Sequence, residues 1–113
     1  MSNELSQSSC EACRLDAPVL SEQEIKELAP QIPSWIVHEE DGIKRLICSF
    51  AFSSYEDSVN FTNKVAELAE QEDHHPEIVL EWGKVTVSWW SHKIKGLHKN
   101  DFICASKTDD LFK

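Results

Sequence analysis

The sequence predicts an α+β fold: one four-stranded antiparallel sheet with three helices on one face, in the order α-β-β-α-β-β-α. Three observations predict it. Two pairs of alternating apolar segments are joined by short glycine turns, at Asp41-Gly42 and Gly83-Lys84, so each pair reads as a hairpin. Helix-start chemistry precedes each hairpin, and a third helical stretch closes the chain. Tightly joined antiparallel strands leave one sheet face for the core, and the helices must share it.

The elements follow in order. Residues 1–20 are rich in Ser, Gln and Glu with little periodicity and read as a flexible leader. Residues 21–113 then form a single domain. Ser21-Glu22-Gln23-Glu24 is a capping box, in which hydroxyl and carboxylate satisfy two orphan amides of a new helix. Pro30 and Pro33 keep that helix short. Trp35 to His38 and Lys44 to Phe52 are the first hairpin strands.

Ser53-Ser54-Tyr55-Glu56 offers a second capping box, and a long helix runs from it to about Asp73. Its apolar residues form two adjoining stripes, Tyr55, Val59, Thr62, Ala66, Ala69 and Phe61, Val65, Leu68. That face is wider than one core contact needs, so part of it is available to another subunit. Ile78, Leu80 and Trp82 alternate with Glu77, Val79 and Glu81 in a third strand, and the fourth runs from Val85 to His92. The last helix begins near Lys99 or Asn100.

Composition narrows the function. The 113 residues are 41% hydrophobic, enough for one core without disulfides. A formal net charge of −9 argues against a phosphate-binding surface, which needs clustered Lys and Arg. Met1 to Ser9 carries no apolar run, so no signal peptide is expected, and no stretch is long enough to span a membrane. The expected location is cytoplasmic, with the four cysteines reduced. With only three glycines and no GxSxG elbow, nucleotide-dependent and acyl-transfer chemistry is disfavoured.

His74-His75-Pro76 is the most informative feature, with His92 standing 17 residues after His75. Histidine alone has an unperturbed pKa that exchanges protons near neutral pH. The pair falls where the long helix stops and the third strand starts, a junction held rigid from both sides. In the fourth strand Val85, Val87 and Trp89 take the core face, while Thr86, Ser88, Trp90 and His92 take the other.

A metal is the rival reading, but adjacent histidines diverge and no HxH or HExxH spacing is present. Cys10-Glu11-Ala12-Cys13 is a CxxC without a second pair, and Cys48 and Cys104 sit in apolar patterns as small core residues. No metal site is therefore expected. Asp101, near the third position of the last helix, has two compatible readings: complementing the helix dipole or orienting a histidine. Trp35, Trp82, Trp89 and Trp90 are core or interface residues by default. Trp90 could also stack on a flat heterocycle. Lys93, Lys95, His98 and Lys99 read as a solvated loop.

Glu70-x3-His74-His75-Pro76-x5-Trp82, then Lys84-Val85-Thr86-Val87, Ser91-His92, Gly96-Leu97 and Asn100-Asp101, resembles the pterin-4a-carbinolamine dehydratase family over about residues 21–110. The leader Cys10 to Pro18, with Trp89-Trp90-Ser91-His92 and Lys95-Gly96-Leu97-His98, is similar to the bacterial branch associated with phenylalanine hydroxylase.

The resemblance implies the fold already read, and a homodimer or homotetramer. It implies a hydro-lyase that dehydrates 4a-hydroxytetrahydrobiopterin to quinonoid dihydropterin, recycling the tetrahydropterin of aromatic amino acid hydroxylases. It carries His74 and His92 over as proton-transfer residues and His75 as a residue that binds and polarises substrate. Pro76, Ser91, Lys93 and Ile94 join the histidines in binding the pterin. Asp101 supports the histidines, with Glu70 and Trp35 as further supporting positions. No cofactor is implied, because the pterin is itself the substrate. No nucleic acid or membrane partner is implied.

Overall fold

Caps and turns fix where each element begins. In the computed structural model, which describes residues 19–112, Ser21 Oγ accepts the Glu24 N–H at 3.2 Å and Glu24 Oε1 accepts the Ser21 N–H at 2.9 Å. This reciprocal box opens helix α1, Glu22–Leu28. A 3₁₀ turn around Pro30, Ala29–Gln31, ends it. Strands β1 (Ile36–Glu40) and β2 (Ile43–Ala51) follow. Asp41 and Gly42 between them both take positive φ, 53° and 78°, the signature of a type I′ hairpin turn.

Helix α2, Tyr55–Glu72, starts one residue later than the box at Ser53 and Glu56 predicts. Its cap is Ser54, whose Oγ accepts the Asp57 N–H at 3.1 Å. Strands β3 (Glu77–Glu81) and β4 (Lys84–Trp89) form the second hairpin. Gly83 in its turn has φ 73°, and a Cβ there would meet the Phe52 carbonyl oxygen at 3.1 Å. Helix α3, Lys99–Phe112, completes the fold.

The sheet is antiparallel throughout, in the order β1-β2-β4-β3. Leu46, Cys48 and Phe50 of β2 and Val85, Val87 and Trp89 of β4 point from one face into the core. They meet Phe61, Val65 and Leu68 of α2 and Phe102, Ile103 and Cys104 of α3. Ile25 of α1 joins the same cluster, so all three helices share one side. Of the two stripes on α2, only that of Phe61, Val65 and Leu68 is wholly buried. Tyr55 and Ala66 are exposed, and Val59 and Thr62 are half-buried.

Two strand readings are corrected. Trp82 is 70% exposed, because alternation lapses where the turn begins. Strand β4 stops at Trp89 rather than reaching His92. Beyond it, a bridge between Ser91 and Gly96, with Ser91 N–H donating to Gly96 O at 2.9 Å, closes a loop. Leu20 N–H donates to Leu97 O at 2.8 Å, which ties the residue ahead of the α1 box to the loop before α3. Cys10 and Cys13 lie outside the described residues. Among those described, no helix is long and apolar enough to cross a membrane.

Candidate active site

The end of α2 delivers the histidine pair. Asp73 adopts the left-handed conformation at φ 50°, its N–H bonds Glu70 O, and the His74 N–H reaches back to Ala69 O at 3.1 Å. These are the two hydrogen bonds of a Schellman motif. The chain thereby reverses within two residues, and Pro76 leads it into β3. His74 is turned inward, 6% exposed, and its ring stacks on Trp89 at 5.6 Å with 10° between planes.

Inside, His74 meets the start of α3. Its Nε2 lies 2.5 Å from Asp101 Oδ1. Asp101 is fully buried, and its other oxygen accepts the Ser91 hydroxyl at 2.8 Å and the His98 N–H at 2.9 Å. The carboxylate is thus saturated on one oxygen and aimed at the imidazole with the other. A carboxylate oxygen only accepts, so the contact makes Nε2 the donor and turns Nδ1 away from Asp101. Asp101 sits in the first turn of α3 and meets His74, so the positions that its two readings require coincide.

His75 faces outward, its Nε2 2.6 Å from Glu70 Oε2 on the last turn of α2. His92, exposed in the loop after β4, reaches the His75 carbonyl through Nε2 at 3.2 Å. A carbonyl can only accept, so this nitrogen too is protonated and Nδ1 is free to exchange a proton. A cavity of about 340 Å³ is lined by Asp73, His74, His75, Pro76, His92 and Lys93. The three histidines line one cavity, each anchored differently: one to a buried carboxylate, one to a surface carboxylate, one to a backbone carbonyl.

Other expected residues stand elsewhere. Ser91 is fully buried and acts on Asp101, outside the lining of the cavity. Ile94 is half-buried in the same loop and does not line it either. Trp35 is a core residue whose Nε1 donates to Asp109 Oδ1 at 2.9 Å, near the far end of α3. Asp73 lines the cavity without having been expected there; an acid just ahead of His74, where the helix must end, was the available signal. His98 was read only as part of a basic loop. Its Nδ1 accepts the Asn100 N–H at 3.1 Å, capping α3 while its own N–H holds Asp101. A larger depression of about 450 Å³ between β2 and the end of α3 contains no histidine. Among the described residues, no three His, Cys, Asp or Glu side chains are grouped to hold a metal ion.

Comparison with known proteins places this chain in a family. The profile of the pterin 4 alpha carbinolamine dehydratase family matches residues 18–111. A protein of Nitrosococcus oceani, provisionally named a pterin-4-alpha-carbinolamine dehydratase, is 57% identical over 110 residues, 97% of each chain. One of Photobacterium profundum with the same provisional name is 58% identical over 109 residues, 96% of each. Among solved structures, a transcriptional coactivator/pterin dehydratase from Brucella melitensis superposes with a TM-score of 0.76 at 27% identity, covering 85% of this chain and 100% of that one. The chain belongs to the pterin 4 alpha carbinolamine dehydratase family, and is a hydro-lyase of that kind.

Proposed function

We propose that this protein dehydrates 4a-hydroxytetrahydrobiopterin to quinonoid dihydropterin by histidine acid–base catalysis, so recycling the cofactor of an aromatic amino acid hydroxylase such as phenylalanine hydroxylase. The observation that carries the reading is the convergence of His74, His75 and His92 on one cavity, with His74 backed by a buried carboxylate.

The reaction asks for two proton transfers. The 4a-hydroxyl is a poor leaving group until its oxygen is protonated. The C4a–O bond then breaks and water departs. The lone pair of N5 closes the C4a=N5 double bond, and the N5 proton is removed. His74 and His92 each keep Nε2 engaged, with Asp101 and with the His75 carbonyl respectively, which leaves Nδ1 for the substrate. One ring gives the proton to oxygen and the other takes it from nitrogen. His75, tethered to Glu70, binds and polarises the pterin beside Pro76 and Lys93. Ser91 serves through Asp101. No electron changes hands, so the step calls for no redox cofactor, and no metal is assigned to it.

The test is a stopped-flow assay with carbinolamine generated by a hydroxylase. Each well-placed acid or base contributes about 10²–10⁴-fold, so His74→Ala and His92→Ala should each lower turnover by about that factor. Undiminished turnover in both variants would remove the site assignment. We further propose that the protein self-associates through the outer stripe of α2, at the end that carries Tyr55 and Val59.

A further inference from the structure

We propose that Trp90 is a positioning residue for His92, and that Arg45 clamps Trp90 into that role. The inference deepens the dehydratase reading and rests on it. His92 needs such a device. Strand β4 has ended at Trp89, the loop that carries His92 is closed by the single bridge between Ser91 and Gly96, and the side chain is exposed. Its hydrogen bond to the His75 carbonyl, at 3.2 Å, is at the long end of the useful range. A ring held by one long bond at the surface is free to leave it.

The indole supplies the second restraint. The Trp90 and His92 ring centroids are 4.4 Å apart with 32° between planes, a contact distance for stacked rings. Trp90 is itself held. The β2–β4 register pairs Leu46 with Trp89, and one step further sets Arg45 opposite Trp90. The Arg45 guanidinium carbon lies 4.0 Å from the Trp90 ring centroid, well inside cation–π range. Arg45 also pairs with Glu40 at 3.4 Å, while its Nε is buried without a hydrogen-bond partner. The guanidinium is therefore committed to the indole face rather than to a full set of acceptors. The chain Glu40–Arg45–Trp90–His92 runs across the sheet face opposite the helices and ends at the reacting imidazole.

Loss of the stack would release His92 over three χ1 wells and two χ2 orientations, diluting the productive pose about three- to sixfold. Trp90→Ala should lower kcat by about that factor, with KM changed less than about twofold, since the cavity lining does not include Trp90. In parallel, the His92 ring carbon-bound protons, observed by NMR, should lose the upfield shift that a neighbouring indole imposes. Trp90→Phe should restore both readouts. Arg45→Met, which keeps the stem but not the charge, should move the His92 resonances part of the way.

His92 resonances that stay in place in Trp90→Ala would overturn the proposal. So would a displaced resonance with unchanged kcat, because the stack would then exist without positioning anything. If Trp90→Ala does not fold, Trp90→Leu, which keeps apolar bulk without an aromatic face, is read by the same two criteria. His92→Ala separates the two readings. Full turnover in that variant and in His74→Ala would sink the dehydratase site, whereas the resonance shift reports on Trp90 whatever the activity.

Discussion

Asp101 joins His74, 27 residues away in sequence, to two residues of the loop just ahead of α3, and replacing one carboxylate oxygen shows what it does. One oxygen accepts from Ser91 and the His98 N–H, the other faces His74. In Asp101→Asn the amide oxygen keeps the two donors, and the amide nitrogen must then donate to His74 Nε2. The ring is driven to its other tautomer, and Nδ1 becomes a donor. Turnover should fall about 10²- to 10⁴-fold, as it does when a catalytic histidine loses its orienting carboxylate, with the far-ultraviolet circular dichroism spectrum retained. Full turnover would show that the tautomer of His74 is immaterial. Cys48 makes a separate, alkaline prediction. Burial, reinforced by the Asp109 carboxylate, raises its thiol pKa from 9.0 to about 11. The fold therefore favours the neutral thiol, and this stability is complete below about pH 9 and lost as pH rises to about 11. At pH 10.5 the shift is only partly expressed and partly screened by solvent, which leaves about 1–2 kcal/mol. In urea titrations at pH 8 and 10.5, wild type should lose about that much more than Cys48→Ala, and equal losses would count against it. The histidines of the site were legible because HHP and a later His at fixed spacing are local facts. The partners of Asp101 were not, because Ser91 and His98 meet it only once a bridged loop has closed.

At the scale of elements, the start of α2 can be tested directly. Both Ser53 and Ser54 satisfy the sequence preference for a cap, and Ser53 with Glu56 matches the box better. The chain enters the helix from Phe52, whose N–H is fixed to Gly83 O at 2.9 Å, and Ser54 is the residue left with extended dihedrals, φ −153° and ψ 159°. Ser54→Ala should cost about 1 kcal/mol in chemical denaturation, and Ser53→Ala a few tenths; the reverse order would return the cap to Ser53. The choice is tertiary, which is why periodicity alone placed it one residue early. The end of β4 has the same kind of cause. Alternation continues on paper to His92, but the β3 partner begins at Glu77, opposite Ser88, after Pro76, which has no N–H to donate. On the other side the register with β2 closes at Leu46 and Trp89. A strand ends where its neighbours end, and a single sequence does not display its neighbours. Element order, both hairpin turns and the α1 box were readable because each is set within a few residues.

For the whole molecule, the decisive fact is that three helices cover one face of a four-stranded sheet and still leave apolar surface unused. Helix α2 buries Phe61, Val65 and Leu68, yet its second stripe includes Tyr55, 49% exposed, and half-buried Val59. On a chain with net charge −9, self-repulsion opposes association, and the apolar stripe on this helix is the surface that the proposed self-association would cover. If that partner is a second copy, the protein should sediment at a whole multiple of 12.9 kDa. Val59→Glu should lower that multiple, since pairing copies would bring a carboxylate into an apolar contact, which costs several kcal/mol. Val59 lies three helical turns from Glu70 and outside the cavity lining, so carbinolamine dehydration by the dissociated variant measures whether one copy carries a complete site. Sedimentation at 12.9 kDa by the wild type would refute the self-association. An unchanged multiple in Val59→Glu would move the contact from α2 to the opposite sheet face, where Ile36 and Val79 are also exposed.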